Sequence, residues 1–131
     1  MMASPQVTFL MAVFNGAQTV RAAVDSVLQQ TFGDLELLVV DDGSTDETTE
    51  ILRSLRGAGG RMRVVKNERN LGLSASLNRG LEMARGEYVA RMDADDICLP
   101  GRTATQVAYL EAHRDVAVAG SFVETFATES G

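Results

Sequence analysis

Several residue types that build common kinds of site are scarce in this chain. It has 131 residues, with one cysteine, one histidine and no tryptophan. The single cysteine, Cys98, excludes an intrachain disulfide and a cysteine-rich zinc site. His113, the only histidine, falls late in a predicted helix, where a solvated position is the simpler interpretation. Disulfide scaffolds and cysteine-rich zinc modules are therefore excluded.

Basic charge and long apolar runs are also scarce. The chain has 12 basic and 18 acidic residues, a formal charge of −6, whereas nucleic-acid binding needs Lys and Arg to displace counterions. No apolar run approaches the roughly 20 residues that span a bilayer, and residues 1–5 lack the pattern of a secretory signal. We therefore expect a cytoplasmic protein with no nucleic-acid partner. Membrane association of a full-length form stays open.

The chain does contain apolar runs that alternate with segments of helical periodicity. Residues 7–13 and 35–40 are apolar nearly throughout, as strands covered on both faces are. Between them, apolar residues recur at helical spacing from Val20 to Leu28. Three further strands are predicted at residues 61–66, 87–92 and 116–122.

Helices are predicted after a capping box at Ser44 and Glu47, after Ser74, and after Pro100. The resulting βαβαβαβαβ order predicts an α/β fold, a three-layer α/β/α arrangement with a mostly parallel sheet. By length, residues 1–131 form a single domain.

Two acidic clusters follow predicted strands. Asp41 and Asp42 follow the second strand, and Asp93, Asp95 and Asp96 follow the fourth. Parallel α/β sheets bind ligands beyond the carboxyl ends of their strands. Residues i and i+2 of an extended segment point the same way, and Mg²⁺ and Mn²⁺ prefer oxygen ligands. The pattern therefore predicts a divalent-metal site at Asp93 and Asp95 that receives an anionic ligand.

Each acidic cluster also has a purely structural interpretation. The Asp93-Ala94-Asp95 segment could be a solvated turn in which one aspartate caps the next helix. Asp41 and Asp42 could cap the helix after them, since acidic groups are favourable at a helix N-terminus. Alternatively, one of these two carboxylates accepts N–H groups of a base or O–H groups of a sugar. Both interpretations stay open at the level of residue patterns.

Taken in order, the motifs resemble those of family 2 glycosyltransferases over residues 7–123. They are Val13-Phe14-Asn15, Asp41-Asp42-Gly43-Ser44, Asn70-x-Gly72, Asp93-Ala94-Asp95-Asp96 and Leu99-Pro100-x-Arg102. The resemblance implies a Rossmann-like GT-A fold, that of nucleotide-diphospho-sugar transferases. It also implies an enzyme that transfers a sugar, with inversion, from a nucleoside-diphosphate donor, most simply a UDP-sugar, to a saccharide or lipid acceptor.

The resemblance also implies site residues. It assigns Mg²⁺ or Mn²⁺ binding to Asp95 and Asp93 of a D-x-D motif. It assigns nucleotide-sugar binding to Ala12, Phe14, Asn15, Asp42, Asn70, Gly72 and Asp93. Among these, Asp42 would contact the edge of the base.

Two departures from the family pattern limit these expectations. Phe14 stands where tyrosine is usual, so a face for packing is kept and a hydroxyl is lost. No residue can be assigned as the catalytic general base, which the resemblance leads us to expect beyond Gly131. We therefore expect a truncated fold, the N-terminal donor-binding part of a longer domain, inactive or weakly active alone.

Two rival hypotheses remain. The chain could be a non-catalytic α/β module that binds a partner or forms a homodimer through the edge of a truncated sheet. It could also be a D-x-D phosphatase. That class needs a nucleophilic aspartate after an early strand and a supporting lysine, and neither pattern is found.

Overall fold

A parallel sheet forms the centre of the fold. The computed structural model describes residues 4–57 and 60–120. Within them, the strands are β1 (Val7–Val13), β2 (Leu35–Asp41), β3 (Met62–Lys66) and β4 (Tyr88–Arg91). The helices are α1 (Val20–Leu28), α2 (Thr48–Leu55), α3 (Leu73–Met83) and α4 (Arg102–Ala112). All neighbouring strands pair in parallel, in the order β3-β2-β1-β4.

Helices cover both faces of this sheet. Successive strand residues point to opposite faces, so β1 supplies both apolar clusters. Phe9 and Met11 pack with apolar residues of α1, α2 and α4 on one face. Leu10 packs with Leu38 of β2 and Leu77 of α3 on the other. The predicted three-layer α/β/α fold with a parallel sheet is therefore confirmed.

The predicted fifth strand, residues 116–122, is wrong where the structure describes it. Residues 116–120 adopt neither strand nor helix, and residues 121 and 122 lie outside the described part of the chain. The Val116 N–H closes a turn onto the His113 carbonyl at 2.9 Å. Val118 is 84% exposed, so this apolar run does not pack into the described sheet.

Two predicted helix caps are also wrong. The helix expected at Ser44 begins at Thr48, because the Ser44 hydroxyl accepts the Asn15 N–H at 3.0 Å instead of capping α2. The helix expected to follow a cap at Ser74 begins at Leu73, so that Ser74 lies inside its first turn. There Gly72 occupies the N-cap position with φ of 98° and no side-chain cap. In the first case a tertiary contact competes successfully with a local one.

The strand order determines where a ligand can enter. From the central strand β1 the chain builds β2 and β3 on one side and β4 on the other. The crossover helices on either side of that reversal leave a crevice beyond the carboxyl ends of β1 and β4. No helix in the described ranges is long and apolar enough to cross a membrane.

Candidate functional site

A cleft of about 340 Å³ opens beyond the carboxyl ends of β1 and β4. Its lining includes residues from the end of β1, from the start of α3 and from the acidic segment after β4. These are Ala12, Val13, Phe14, Asn15, Gly16, Thr19, Leu73, Asp93, Ala94 and Asp95. A larger open cavity of about 470 Å³ lies at the other end of the sheet, beside Asp34 and Glu87, away from both acidic clusters.

The acidic cluster after β4 brings three carboxylates together. Oxygens of Asp93, Asp95 and Asp96 all lie within 4.8 Å of one another, and the three residues are exposed. Burial and repulsion from the other two carboxylates raise the pKa of Asp96. Close carboxylates with open solvent access offer the hard oxygen ligands that Mg²⁺ and Mn²⁺ prefer, so this donor set fits such a cation.

Few cationic groups or hydrogen-bond donors of the described residues contact the side chains of Asp93 and Asp95. Asp93 has one ion pair, between its Oδ1 and Arg91 Nη2 at 3.5 Å, and both side chains are more than half exposed. Within residues 4–57 and 60–120, no hydrogen bond or ion pair reaches the Asp95 side chain. Carboxylate oxygens of Asp93 and Asp95 are therefore open to coordinate a cation.

Asp42, directly after β2, is buried and is engaged by the loop of residues 67–72. Its Oδ1 accepts the Leu71 N–H at 2.7 Å and the Asn67 side-chain amide at 2.9 Å. Its Oδ2 accepts the Gly72 N–H at 3.0 Å. Burial raises the pKa of Asp42, but these hydrogen bonds together lower it by more, so the pKa lies below its ordinary value. The ionised carboxylate fixes the loop against the end of β2.

Asn15 makes the corresponding connection between the loops after β1 and β2. It has a positive φ of 52°, uncommon outside glycine. Its side-chain oxygen accepts the N–H groups of Thr45 at 2.8 Å and Asp46 at 3.2 Å. Because asparagine tolerates this backbone conformation better than most residues, the contact is kept while Asn15 also lines the cleft.

Gly43 allows the loop of residues 67–72 to approach so closely. Its φ is 71°, and a Cβ at this position would lie 2.5 Å from the Arg69 carbonyl carbon and 2.6 Å from the Asn70 nitrogen. Both contacts are with backbone, which cannot move aside as a flexible side chain can. A glycine is therefore required here on two grounds.

The predicted site residues separate into two groups. The first group lines the cleft directly: Ala12, Phe14, Asn15, Asp93 and Asp95. The second lies outside the cleft lining and is linked by hydrogen bonds: Asp42, Asn70 and Gly72. In that group the Asn70 side chain reaches the Asp42 carbonyl at 3.4 Å.

The predicted site residues do not include three contributors that the structure adds. Thr19 and Leu73 line the cleft from the beginnings of α1 and α3. Asn67 is buried and joins Asp42 to Ser76 of α3 through 2.9 Å hydrogen bonds. The one available signal for Asn67 was its position directly after β3, where the other strand-end polar residues also fall.

The open parallel sheet and its acidic cleft agree with a GT-A fold, the class of nucleotide-diphospho-sugar transferases, and solved glycosyltransferases share this fold with the chain at TM-scores of 0.74 to 0.77. The chain belongs to glycosyl transferase family 2, which it matches over residues 8–130. The predicted family and fold are thereby confirmed.

Individual relatives agree with this assignment. EpsE of Bacillus subtilis (strain 168) is 37% identical over 127 residues, which are 96% of this chain and 46% of that protein. The structure of S. aureus TarS 1-349 in complex with UDP-GlcNAc matches with a TM-score of 0.77 and 27% identity, over 83% of this chain and 32% of that one.

A mannosyltransferase structure is similar to the same extent. PcManGT from Pyrobaculum calidifontis, in complex with GDP-Man and Mn²⁺, matches with a TM-score of 0.74 and 30% identity. The match covers 82% of this chain and 33% of that one. The chain thus spans less than half of the length of these relatives.

Proposed function

We propose that this chain binds a nucleoside-diphosphate sugar, with UDP as the nucleotide, together with Mg²⁺ or Mn²⁺. The observation that carries the proposal is that Phe14, Asp93 and Asp95 share one cleft. An aromatic face and a cation-binding group are what a nucleoside and its diphosphate require. The similar TarS and PcManGT structures, which hold UDP-GlcNAc and GDP-Man respectively, support this assignment.

Asp95 and Asp93, the D-x-D pair, are the residues that would hold the cation, and Asp96 lies close enough to assist. A divalent cation bound there supplies Lewis-acid stabilisation of the charge that develops on a leaving diphosphate. The three carboxylates are exposed, so they can bind it without the cost of burying uncompensated charge.

The proposed nucleoside walls come from both groups of predicted residues. Phe14 is 48% exposed and can pack on a base or ribose, and Ala12 leaves room beside it. Asn15 holds the neighbouring turn, while Asn70 and Gly72 lie on the loop that Asp42 fixes. A base-reading role for Asp42 requires its carboxylate to accept one more donor beside its loop contacts.

We propose further that the chain is the N-terminal, donor-binding part of an inverting glycosyltransferase. Its matched residues make up 46% of EpsE, and no residue in it can be assigned as the general base. The base and the site for a saccharide or lipid acceptor then belong to a region that this chain does not cover. A cytoplasmic location belongs to the same proposal.

Calorimetric titration of UDP in the presence of Mn²⁺ tests the donor site. We expect binding by the wild-type chain and a strong loss in Asp95→Asn. The control is Asp25→Asn, which makes the same charge change at an exposed position of α1. Absent binding in the wild type, or equal binding in the two variants, would overturn the proposal.

Self-association is the alternative function, favoured by one observation. β4 is an edge strand of the described sheet, and its Val89 is 43% exposed. Pairing of two such edges would give a homodimer. Sedimentation over a range of concentrations, together with the UDP titration, distinguishes the two functions. A dimer that binds no UDP supports the non-catalytic module, whereas a monomer that binds UDP supports the donor site.

A further inference from the structure

The loop that follows the acidic cluster, residues 97–101, lies outside helix and strand. Its backbone must therefore be held by contacts with other parts of the molecule. Most of these contacts come from Ser26 of α1 and from Gln30 and Thr31 just after it, and among these three Gln30 is buried, with only 6% of its surface exposed.

The Gln30 amide uses both its donor and its acceptor. Nε2 donates to the Leu99 carbonyl at 2.8 Å, with a longer contact of 3.4 Å to the Cys98 carbonyl. Oε1 accepts the Thr103 N–H at 3.1 Å and its hydroxyl at 2.7 Å. One buried side chain therefore connects α1, the loop after the acidic cluster, and the first turn of α4.

Neighbouring contacts hold the same loop. The Ser26 hydroxyl accepts the Cys98 N–H at 3.0 Å, and the Thr31 N–H donates to the Pro100 carbonyl at 3.0 Å. On the other side of the cluster, Arg102 Nη2 donates to the Arg91 carbonyl at 3.3 Å. Hydrogen bonds thus hold the backbone on both sides of the acidic residues, whereas among the residues that the structure describes the side chains of Asp93 and Asp95 have one partner, Arg91.

We infer that Gln30 is a positioning residue for the cation site, which it serves without touching the cation. Three crowded carboxylates repel one another, and a loop free to move would relax by separating them. The bonds of Gln30 to the Leu99 and Cys98 carbonyls oppose that relaxation from the buried side. This inference rests on the proposed function, since it assumes that the cluster binds a divalent cation.

Gln30→Met tests the inference, because it keeps the length of the side chain and removes every hydrogen bond. Two quantities are measured: Mn²⁺ affinity, from the electron paramagnetic resonance signal of free Mn²⁺, and amide exchange of Thr31 without metal. We expect Mn²⁺ affinity to fall on the order of tenfold or more, as for other supporting partners of metal ligands. The Thr31 amide, which reports docking of the loop at Pro100, should exchange faster.

Thr8→Val is the matched control for lost stability. Thr8 is fully buried near the start of β1, and its hydroxyl bonds to Glu36 at 2.6 Å and to the Gly86 N–H at 2.9 Å. This variant also removes buried hydrogen bonds, but at the opposite end of the sheet. We expect it to lower stability and to leave both Mn²⁺ affinity and Thr31 exchange unchanged.

The outcomes separate this inference from the proposed function. Equal Mn²⁺ affinity in Gln30→Met and Thr8→Val would overturn the role of Gln30 alone. A wild-type chain that binds no Mn²⁺ would overturn the proposed function and this inference with it. If Gln30→Met does not fold, Ser26→Ala takes its place. It removes the acceptor of the Cys98 N–H, together with the hydrogen bond that the Ser26 hydroxyl donates to the Ala23 carbonyl of its own helix, and should weaken Mn²⁺ binding in the same direction.

Discussion

The acidic residues after β2 and those after β4 occupy similar places at the carboxyl edge of the sheet, but they differ in what their carboxylates contact. Asp42 is buried and accepts three hydrogen bonds from one loop. Asp93 and Asp95 are exposed. In the described structure Asp93 has one ion pair, with Arg91 at 3.5 Å, and Asp95 has none. The carboxylate of Asp42 thus fixes the 67–72 loop beside the cleft, while those of Asp93 and Asp95 stay open to solvent.

The largest expected effect concerns the packing around the first cluster. Gly43→Ala places a Cβ against the backbone of the 67–72 loop and forces alanine to a φ of 71°. Strain in φ alone costs about 1–2 kcal/mol, and the backbone clash should bring the total above about 4 kcal/mol. Urea unfolding of the variant measures this loss.

Gly60→Ala is the matched control for that experiment. Gly60 has a nearly equal φ of 70°, but nothing lies within 4 Å of a Cβ built on it. It should therefore show the φ cost without the clash. Equal losses in the two variants would show that the 67–72 loop does not pack tightly on Gly43.

The next largest effect is expected from Asp42→Asn. The variant replaces one carboxylate oxygen with an NH₂ group. Because Leu71 and Gly72 donate to different oxygens of Asp42, the amide can accept only one of these two N–H groups in the same geometry. Losing a hydrogen bond to a charged group should cost about 2 kcal/mol of unfolding free energy. Asp95→Asn, measured by the same denaturant titration, should be neutral or slightly stabilising, and a reversed order would refute the division between the clusters.

A smaller loss of unfolding free energy is expected when the pH is lowered. Burial raises the pKa of Glu36, yet its hydrogen bonds with Thr8 and the Arg85 N–H and its ion pair with Arg63 lower it overall, as for Asp42. Ordinary values for the two groups are 4.5 and 3.8. Because the unfolded chain binds protons more readily, their contribution is complete above pH 4.5 and is lost as pH falls through the lowered folded values.

Unfolding free energy measured from pH 7 downwards checks this expectation. The wild type should lose stability in the acid range, and Glu36→Gln should decline less steeply because one of the two groups no longer titrates. Stability that rises on acidification through this range would contradict the assignment of both carboxylates as ionised and hydrogen-bonded.

The smallest effect is expected from Phe14→Ala, and it is confined to binding. Stacking of a base on an aromatic side chain is worth about 1–3 kcal/mol, and Phe14 is already half-exposed. UDP affinity in the presence of Mn²⁺ should fall, while unfolding free energy should change little. Unchanged affinity in calorimetry would remove Phe14 from the nucleoside wall.

Periodicity predicted most of the fold because the strongest elements are locally specified. β1 and α1 have the predicted bounds, since their apolar spacing continues from end to end. Ser44 and Ser74 were predicted as caps from local patterns. At Ser44 the prediction failed because a tertiary partner, the Asn15 N–H, takes the hydroxyl. Residues 116–120 are apolar enough for a strand but do not join the described sheet.

The parts of the candidate site that lie in short sequence motifs could be predicted. The D-x-D segment and Phe14 fall in the cleft because strand ends in a parallel sheet share one edge. Asp42 was recognised as important, but its loop contacts depend on a distant segment and could not be read from spacing. Gln30 gave no signal, because a polar residue just after a helix is ordinarily solvated, and only the fold buries it.

The most direct test of the division between the clusters is thermal unfolding with and without Mn²⁺. A cation that binds only the folded chain raises the midpoint of unfolding. We predict such a rise for the wild type and for Asp42→Asn, whose starting midpoint is lower, and none for Asp95→Asn. A rise in Asp95→Asn as large as that of the wild type, or a loss of the rise in a folded Asp42→Asn, would contradict the account.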